Sequence, residues 1–178
     1  MELDSLQARI LTPFIDNAIE CLESMASLQA LPDEGRSGDA DSFFPHDYAV
    51  VVETSGLIDG KILIHYYLDT ALAVGKKVYS NFLGQESGSE DIDENIIEAL
   101  SEFSNTVVGL ATRELKKKDT LVVFDPPYFV SNGERMSKLG DGAQEILSVP
   151  IHIEGIGKLF FDYIIYKEYK VYLTAENA

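Results

Sequence analysis

Between residues 93 and 116 the apolar residues recur with the period of an α-helix. On a wheel turning about 100° per residue, Ile96, Leu100, Phe103, Val107, Leu110 and Ala111 form one stripe, with Ile97 and Leu115 at its margin. A helix of that length with a single apolar face must be buried along that face. What it packs on is set by the rest of the chain.

The flanking segments read as mixed α and β. Residues 11–28 carry Phe14, Ile15, Ala18, Ile19, Leu22 and Met25 at helical spacing, and Thr12-Pro13 reads as an N-cap followed by proline at the first helical position. Residues 3–10 can add a helical lead-in. Residues 31–45, rich in Pro, Gly, Asp and Ser, read as a flexible loop. Residues 48–53 and 61–67 are rich in Val, Ile and Tyr and read as strands, joined through an Asp-Gly pair in a hairpin. Asp69 is placed to cap a helix running to about Leu83, with Gly84 as its C-terminal stop.

Residues 85–91 read as a polar acidic loop before the long helix. Residues 120–124 form a strand ended by Pro126-Pro127, since proline cannot continue a ladder. Residues 128–130 are extended and 131–143 are loop. Residues 145–153 and 158–166 make a second hairpin, and 170–173 are a last extended piece. This order predicts an α+β fold: residues 1–178 as a single domain, its largely antiparallel β-sheet carrying helices packed on one face.

Composition excludes several functions. A formal net charge of −16 disfavours nucleic acid and anionic membranes, both of which need clustered Lys and Arg. The one dense basic run, Lys116-Lys117-Lys118, sits where cations complement the end of a helix. No apolar run is long enough to cross a bilayer, and Met1-Glu2-Leu3-Asp4-Ser5 lacks the features of a signal peptide, so a cytoplasmic protein is expected. One cysteine, Cys21, allows no intrachain disulfide and reads as a small buried apolar residue. His46, His65 and His152 lack ligand spacing, so no metal site is expected. Neither a Ser-His-Asp arrangement nor a Gly-rich phosphate loop is present.

The polar face of the long helix is less ordinary. Glu98, Glu102, Asn105 and Gly109 fall within about 60° of one another on that face. Glu98 and Glu102 repel at i, i+4, and a glycine inside a helix costs about 1 kcal/mol relative to alanine. A face that is polar, slightly strained and open suits docking, although a solvated acidic face would read the same on the wheel.

Context sharpens the reading. The run Glu102-Phe103-Ser104-Asn105-Thr106-Val107-Val108-Gly109 resembles the active-site helix of the CheC/CheX chemotaxis phosphatases. Gly56-Leu57-Ile58-Asp59-Gly60-Lys61-Ile62-Leu63-Ile64, followed by a helix ending Phe82-Leu83-Gly84, is similar to the family's first half. The stretch from Val122 through Pro126-Pro127 to Gly133 is similar to the strand and proline pair after its active helix, the prolines following Asn105 by 21 and 22 positions. Thr12-Pro13-Phe14 also fits CheX-like chains. Where the family usually has Asp or Ser four residues before the catalytic Glu, this chain has Glu98, a carboxylate on a longer stem. In CheC-type members a second helix repeats the motif. Here the first helix has Asn17 but Phe14 three residues before it, so one site per chain resembles CheX.

The resemblance implies a CheC/CheX-like fold and a hydrolase that dephosphorylates the aspartyl phosphate of the response regulator CheY or a CheY-like receiver domain. It implies Glu102 and Asn105 as catalytic residues, with Glu98, Gly109 and Pro127 touching the partner. It implies no cofactor of the chain's own, the Mg²⁺ being supplied by phosphorylated CheY, and a homodimer made by joining two sheets. The alternatives are a non-catalytic receiver-binding adaptor or flagellar-switch-type module of the same fold, and an unrelated acidic dimerisation domain.

Overall fold

A computed structural model of the chain describes residues 5–56, 58–84, 88–117, 122–131 and 133–168. Helix α1 (Ser5–Ala26) is followed by two short strands, β1 (Ala30–Pro32) and β2 (Arg36–Gly38). Then come the long strands β3 (Tyr48–Gly56) and β4 (Ile58–Tyr66), helices α2 (Leu68–Leu83) and α3 (Glu94–Lys117), and strands β5 (Val122–Phe124) and β6 (Tyr128–Val130). The short helix α4 (Gly133–Ser137) precedes the closing hairpin β7 (Glu145–Ile153) and β8 (Gly157–Glu168). One antiparallel sheet runs β1-β7-β8-β4-β3-β5, with β2 also pairing β7 and β6 also pairing β3. Among the described residues no helix is long and apolar enough to cross a membrane.

The expected α+β architecture is present, with α1, α2 and α3 on one face. Alternation along the strands decides which side chains meet them. Ile62, Ile64, Phe161, Tyr163, Val149 and Ile151 point into the helical layer and join Phe14, Leu22, Phe103 and Val107 in the main core. Cys21 lies in that core, and burial pushes its thiol up to about 11. The other sheet face holds a smaller cluster of Ala49, Val51, Leu63, Met136, Leu139 and Ile164. Beside it the sheet carries His65 and Asp162, both buried.

Several boundaries differ from the sequence reading. Residues 31–45, expected as a loop, include β1's end and β2, which pair with β7 in registers such as Leu31↔His152 and Ser37↔Leu147. The strands of the first hairpin are longer than expected and stay paired as far as Thr54↔Gly60. Thr12-Pro13 does not start a helix; α1 begins at Ser5 and Pro13 lies inside it, buried. There the Asn17 side-chain amide donates to the Pro13 carbonyl at 2.7 Å. Asp69 lies in the first turn of α2, but the Leu68 N–H is taken at 2.9 Å by Asp47, from the segment before β3. Residues 131–143, expected as loop, contain α4 and a turn of 3₁₀ helix. The expected strand at 170–173 and the first part of the acidic loop, 85–87, lie outside the described residues.

Candidate active site

The long helix begins as its sequence dictates. The Asp93 carboxylate accepts the Ile96 N–H at 2.9 Å and the Asp93 carbonyl accepts the Ile97 N–H at 3.0 Å. Glu94 in the first turn and Lys116 and Lys117 in the last complement the helix dipole. The predicted stripe is the buried one: Ile96, Leu100, Phe103, Val107 and Ala111 have no exposure, and Leu110 is partly buried.

The placement of α2 against this helix is tight. A Cβ on Gly75 would come within 2.6 Å of Ile96 Cγ2, so only glycine lets the two helices approach this closely. At its far end α2 is tied to α1: the Asn81 side-chain amide donates to the Met25 carbonyl at 3.0 Å and to Ser27 Oγ at 3.2 Å. Gly84 then ends α2 at φ 65°, returning its N–H to the Ser80 carbonyl at 2.8 Å.

On the outer face of α3, Glu98, Glu102, Asn105 and Gly109 are all exposed. Among the described residues, none of these three polar side chains has a hydrogen-bond or ion-pair partner. Glu102 and Asn105, three residues apart, are surface neighbours on one ridge. A groove borders each end of that ridge. Toward the start of α3 a groove of about 190 Å³ lies between Tyr79, Phe82 and Leu83 of α2 and Asn95, Glu98 and Glu102 of α3. Toward its end a groove of about 410 Å³ lies between Asn105, Gly109 and Thr112 of α3 and Val123, Pro126 and Pro127. β5 sets the second wall by pairing with β3 through Thr54↔Phe124, and Phe124 packs on Phe14 at 5.5 Å between ring centroids.

All five residues singled out in the sequence therefore lie on or beside this ridge, but not in one pocket. Glu98 shares a groove with Glu102, whereas Gly109 and Pro127 share the other with Asn105. The sequence reading missed Tyr79, Phe82 and Leu83. Their signal was the stripe of α2 itself: Ala71, Val74 and Val78 are buried, and Phe82 continues their spacing but is 60% exposed. Among the described residues no group of three or more His, Cys, Asp or Glu side chains is gathered to hold a metal.

A family model described as "Chemotaxis phosphatase CheX" matches residues 48–152, which contain β3 to β6, both grooves and the whole of α3. The chain belongs to the CheX family. No curated protein sequence matches it. Among solved structures this CheX-family chain is similar to the CheX–CheY–BeF3–Mg²⁺ complex from Borrelia burgdorferi, at 25% identity and TM-score 0.66, covering 89% of this chain and 98% of that one. It is similar in fold to CheX from Vibrio vulnificus, at 21% identity and TM-score 0.69 over 89% and 99% of the two chains. It is also similar in fold to FliY from Thermotoga maritima, at 18% identity and TM-score 0.62 over 93% and 92%.

Proposed function

We propose that this chain hydrolyses the aspartyl phosphate of CheY or a CheY-like receiver domain in chemotaxis signalling. The observation that carries the reading is the ridge of α3, where Glu102 and Asn105 stand exposed and unpartnered between two grooves. Membership of the CheX family and the likeness to a CheX bound to CheY support it.

Hydrolysis of an acyl phosphate needs a water in line with the breaking P–O bond and compensation of the phosphoryl charge. The phosphorylated receiver brings its own Mg²⁺ and lysine, so the phosphatase need only position water and hold register. Asn105 suits the first task, because its amide both accepts a hydrogen bond from a water and donates one to it. Glu102 suits the second, through a charge-assisted contact with the partner's lysine. The water oxygen adds to phosphorus, the aspartyl carboxylate leaves, and inorganic phosphate departs; no covalent intermediate forms on this chain. Glu98, Gly109 and Pro127 line the approach. The working unit is a homodimer joined through the sheets, acting in the cytoplasm.

The test uses CheY from the same genome, charged with acetyl phosphate, and follows phosphate loss. Asn105→Ala lowers stimulated turnover about 100-fold, the scale of losing one well-placed polar group at a reacting centre, and leaves the melting temperature unchanged. Glu102→Ala instead raises the CheY concentration needed. Wild-type turnover in Asn105→Ala would sink the assignment. Binding of CheY by the wild-type chain without phosphate loss would favour the second reading, a receiver-binding module, which the fold shared with FliY also fits.

A further inference from the structure

The Glu-x-x-Asn turn is too small to hold a protein partner alone. A stable interface covers about 800 Å² on each side, and its affinity comes from a few buried apolar or aromatic anchors. From Asn95 to Lys116 the helix with its two grooves spans about 30 Å, at about 1.5 Å per residue. That is about the diameter of a small domain, so a receiver centred on Glu102 and Asn105 covers both grooves.

The two grooves differ in what they offer. The one at the start of α3 presents Phe82 and Leu83, 60% and 59% exposed, on the last turn of α2. Neither residue serves the core, and both are held in place. Gly75 fixes how closely α2 meets α3, Asn81 bonds the last turn of α2 to α1, and the Gly84 cap ends the helix at that point. A rigid apolar step costs little to order when a partner arrives. The groove's charged lining is acidic only, from Glu98 and Glu102.

We infer that the Phe82–Leu83 step is the docking anchor for the receiver domain, accepting an apolar side chain that is flanked on the partner by Lys or Arg. The inference rests on the phosphatase reading above and adds the surface that gives it affinity. The apolar side chain fills the space against Tyr79, Phe82 and Leu83, and the flanking cation meets Glu98. Glu98 thereby acquires a task separate from that of Glu102: it reads charge beside the anchor, one helical turn away from the chemistry.

The experiment is steady-state dephosphorylation of acetyl-phosphate-charged CheY over a range of CheY concentrations, with the full chain. Phe82→Ser combined with Leu83→Ser raises the half-saturating concentration at least tenfold, while maximal turnover changes less than threefold. Both positions are exposed, so folding is kept, and circular dichroism checks it. Phe44→Ser, at a still more exposed aromatic on the other face of the sheet, leaves both parameters as they were. In parallel, binding of CheY charged with beryllofluoride and Mg²⁺ is titrated, and sedimentation measures self-association. A half-saturating concentration within twofold of wild type overturns the inference. So does a loss of self-association with CheY affinity intact, which would assign the step to a second copy of this chain. If the wild-type chain does not speed phosphate loss, the phosphatase reading fails instead, and the beryllofluoride titration still decides the groove.

Discussion

Glu102 and Asp162 lie on opposite sides of the sheet. Glu102 stands exposed on the ridge of α3, with no partner among the described residues and with a like charge, Glu98, one turn away. Asp162, on β8, is 3% exposed, and its Oδ2 lies 2.9 Å from His65 Nε2 of β4. That contact is close but off the line of a good hydrogen bond, and the other oxygen of Asp162 has no partner. The His65 ring is set from behind: its Nδ1 accepts the His46 N–H at 3.2 Å, which leaves the proton of the neutral ring on Nε2, facing Asp162. His46 in turn stacks on Tyr67 at 3.9 Å and meets Phe160 edge-on at 4.2 Å. The buried pair meets inside the chain, although one oxygen of Asp162 is left over, whereas Glu102 meets no partner among the described residues. A buried pair that lost its partner would be punished in stability, whereas an exposed residue can be removed at almost no cost to the fold. Stability and activity should therefore separate cleanly between the two sides.

The sharpest way to break this division is Asp162→Ala. Removing the carboxylate leaves the buried His65 N–H with no acceptor facing it, and an unsatisfied buried donor costs about 1–3 kcal/mol. Urea unfolding should show that loss, while turnover of CheY by the remaining folded protein stays within twofold of wild type. A loss under about 1 kcal/mol would mean that the pair is not structural, and a lost activity with intact stability would join the two sides that the comparison separates.

A weaker effect comes from acid. Burial, followed by the neighbouring His65, lowers the His46 pKa from 6.5 to about 4, against smaller opposing pulls from Asp162 and Asp47. Between those two values the unfolded chain binds the proton and the folded chain does not. Stability is therefore complete above about 6.5 and falls as the pH drops through the window towards 4. Unfolding free energy measured from pH 7 to 5 should decline, and His46→Gln should flatten that limb. An equally steep decline in the variant would show that His46 is not the group responsible. No histidine lies on the ridge of α3 or in its two grooves, so this limb belongs to the buried side alone.

The same contrast governs what the sequence could disclose. Local signals were legible: the stripe of α3, its Asp93 start, the Gly84 stop of α2, and the second hairpin all follow from periodicity and capping within a few residues. The pairing of His65 with Asp162 joins residues on different strands, and nothing local marks either side chain as buried. The strand character of 30–38 is likewise supplied by the edge of β7, not by its own Pro- and Gly-rich composition. Pro13 reads as a helix start because its missing N–H is harmless there; inside α1 it removes one ladder bond, a cost set against the packing of Ile10, Leu11, Phe14 and Ala18 in the core. Of the candidate site, the ridge was legible from the wheel and the family resemblance. The grooves were not, since each needs a second element brought alongside α3: α2 by the close approach at Gly75, and β5 by its pairing with β3.

The smallest predicted effect is the most discriminating, because stability and activity should move in opposite directions. Gly109 sits in the middle of α3, exposed, and an added Cβ would meet nothing within 4 Å. Within this chain a methyl group there has only benefits: alanine is favoured over glycine in a helix interior by about 1 kcal/mol. Gly109→Ala should therefore raise the unfolding free energy by up to about 1 kcal/mol. Yet Gly109 lines the groove beside Asn105, one turn along the same face. If a receiver closes onto that face, the added methyl holds it away from the ridge, and turnover should fall several-fold with the half-saturating CheY concentration raised. A more stable variant with undiminished turnover would show that the partner does not approach the helix at Gly109 and would shift the docking footprint towards Glu98. A variant both more stable and less active would explain the glycine as helix stability given up to keep the approach to Asn105 open.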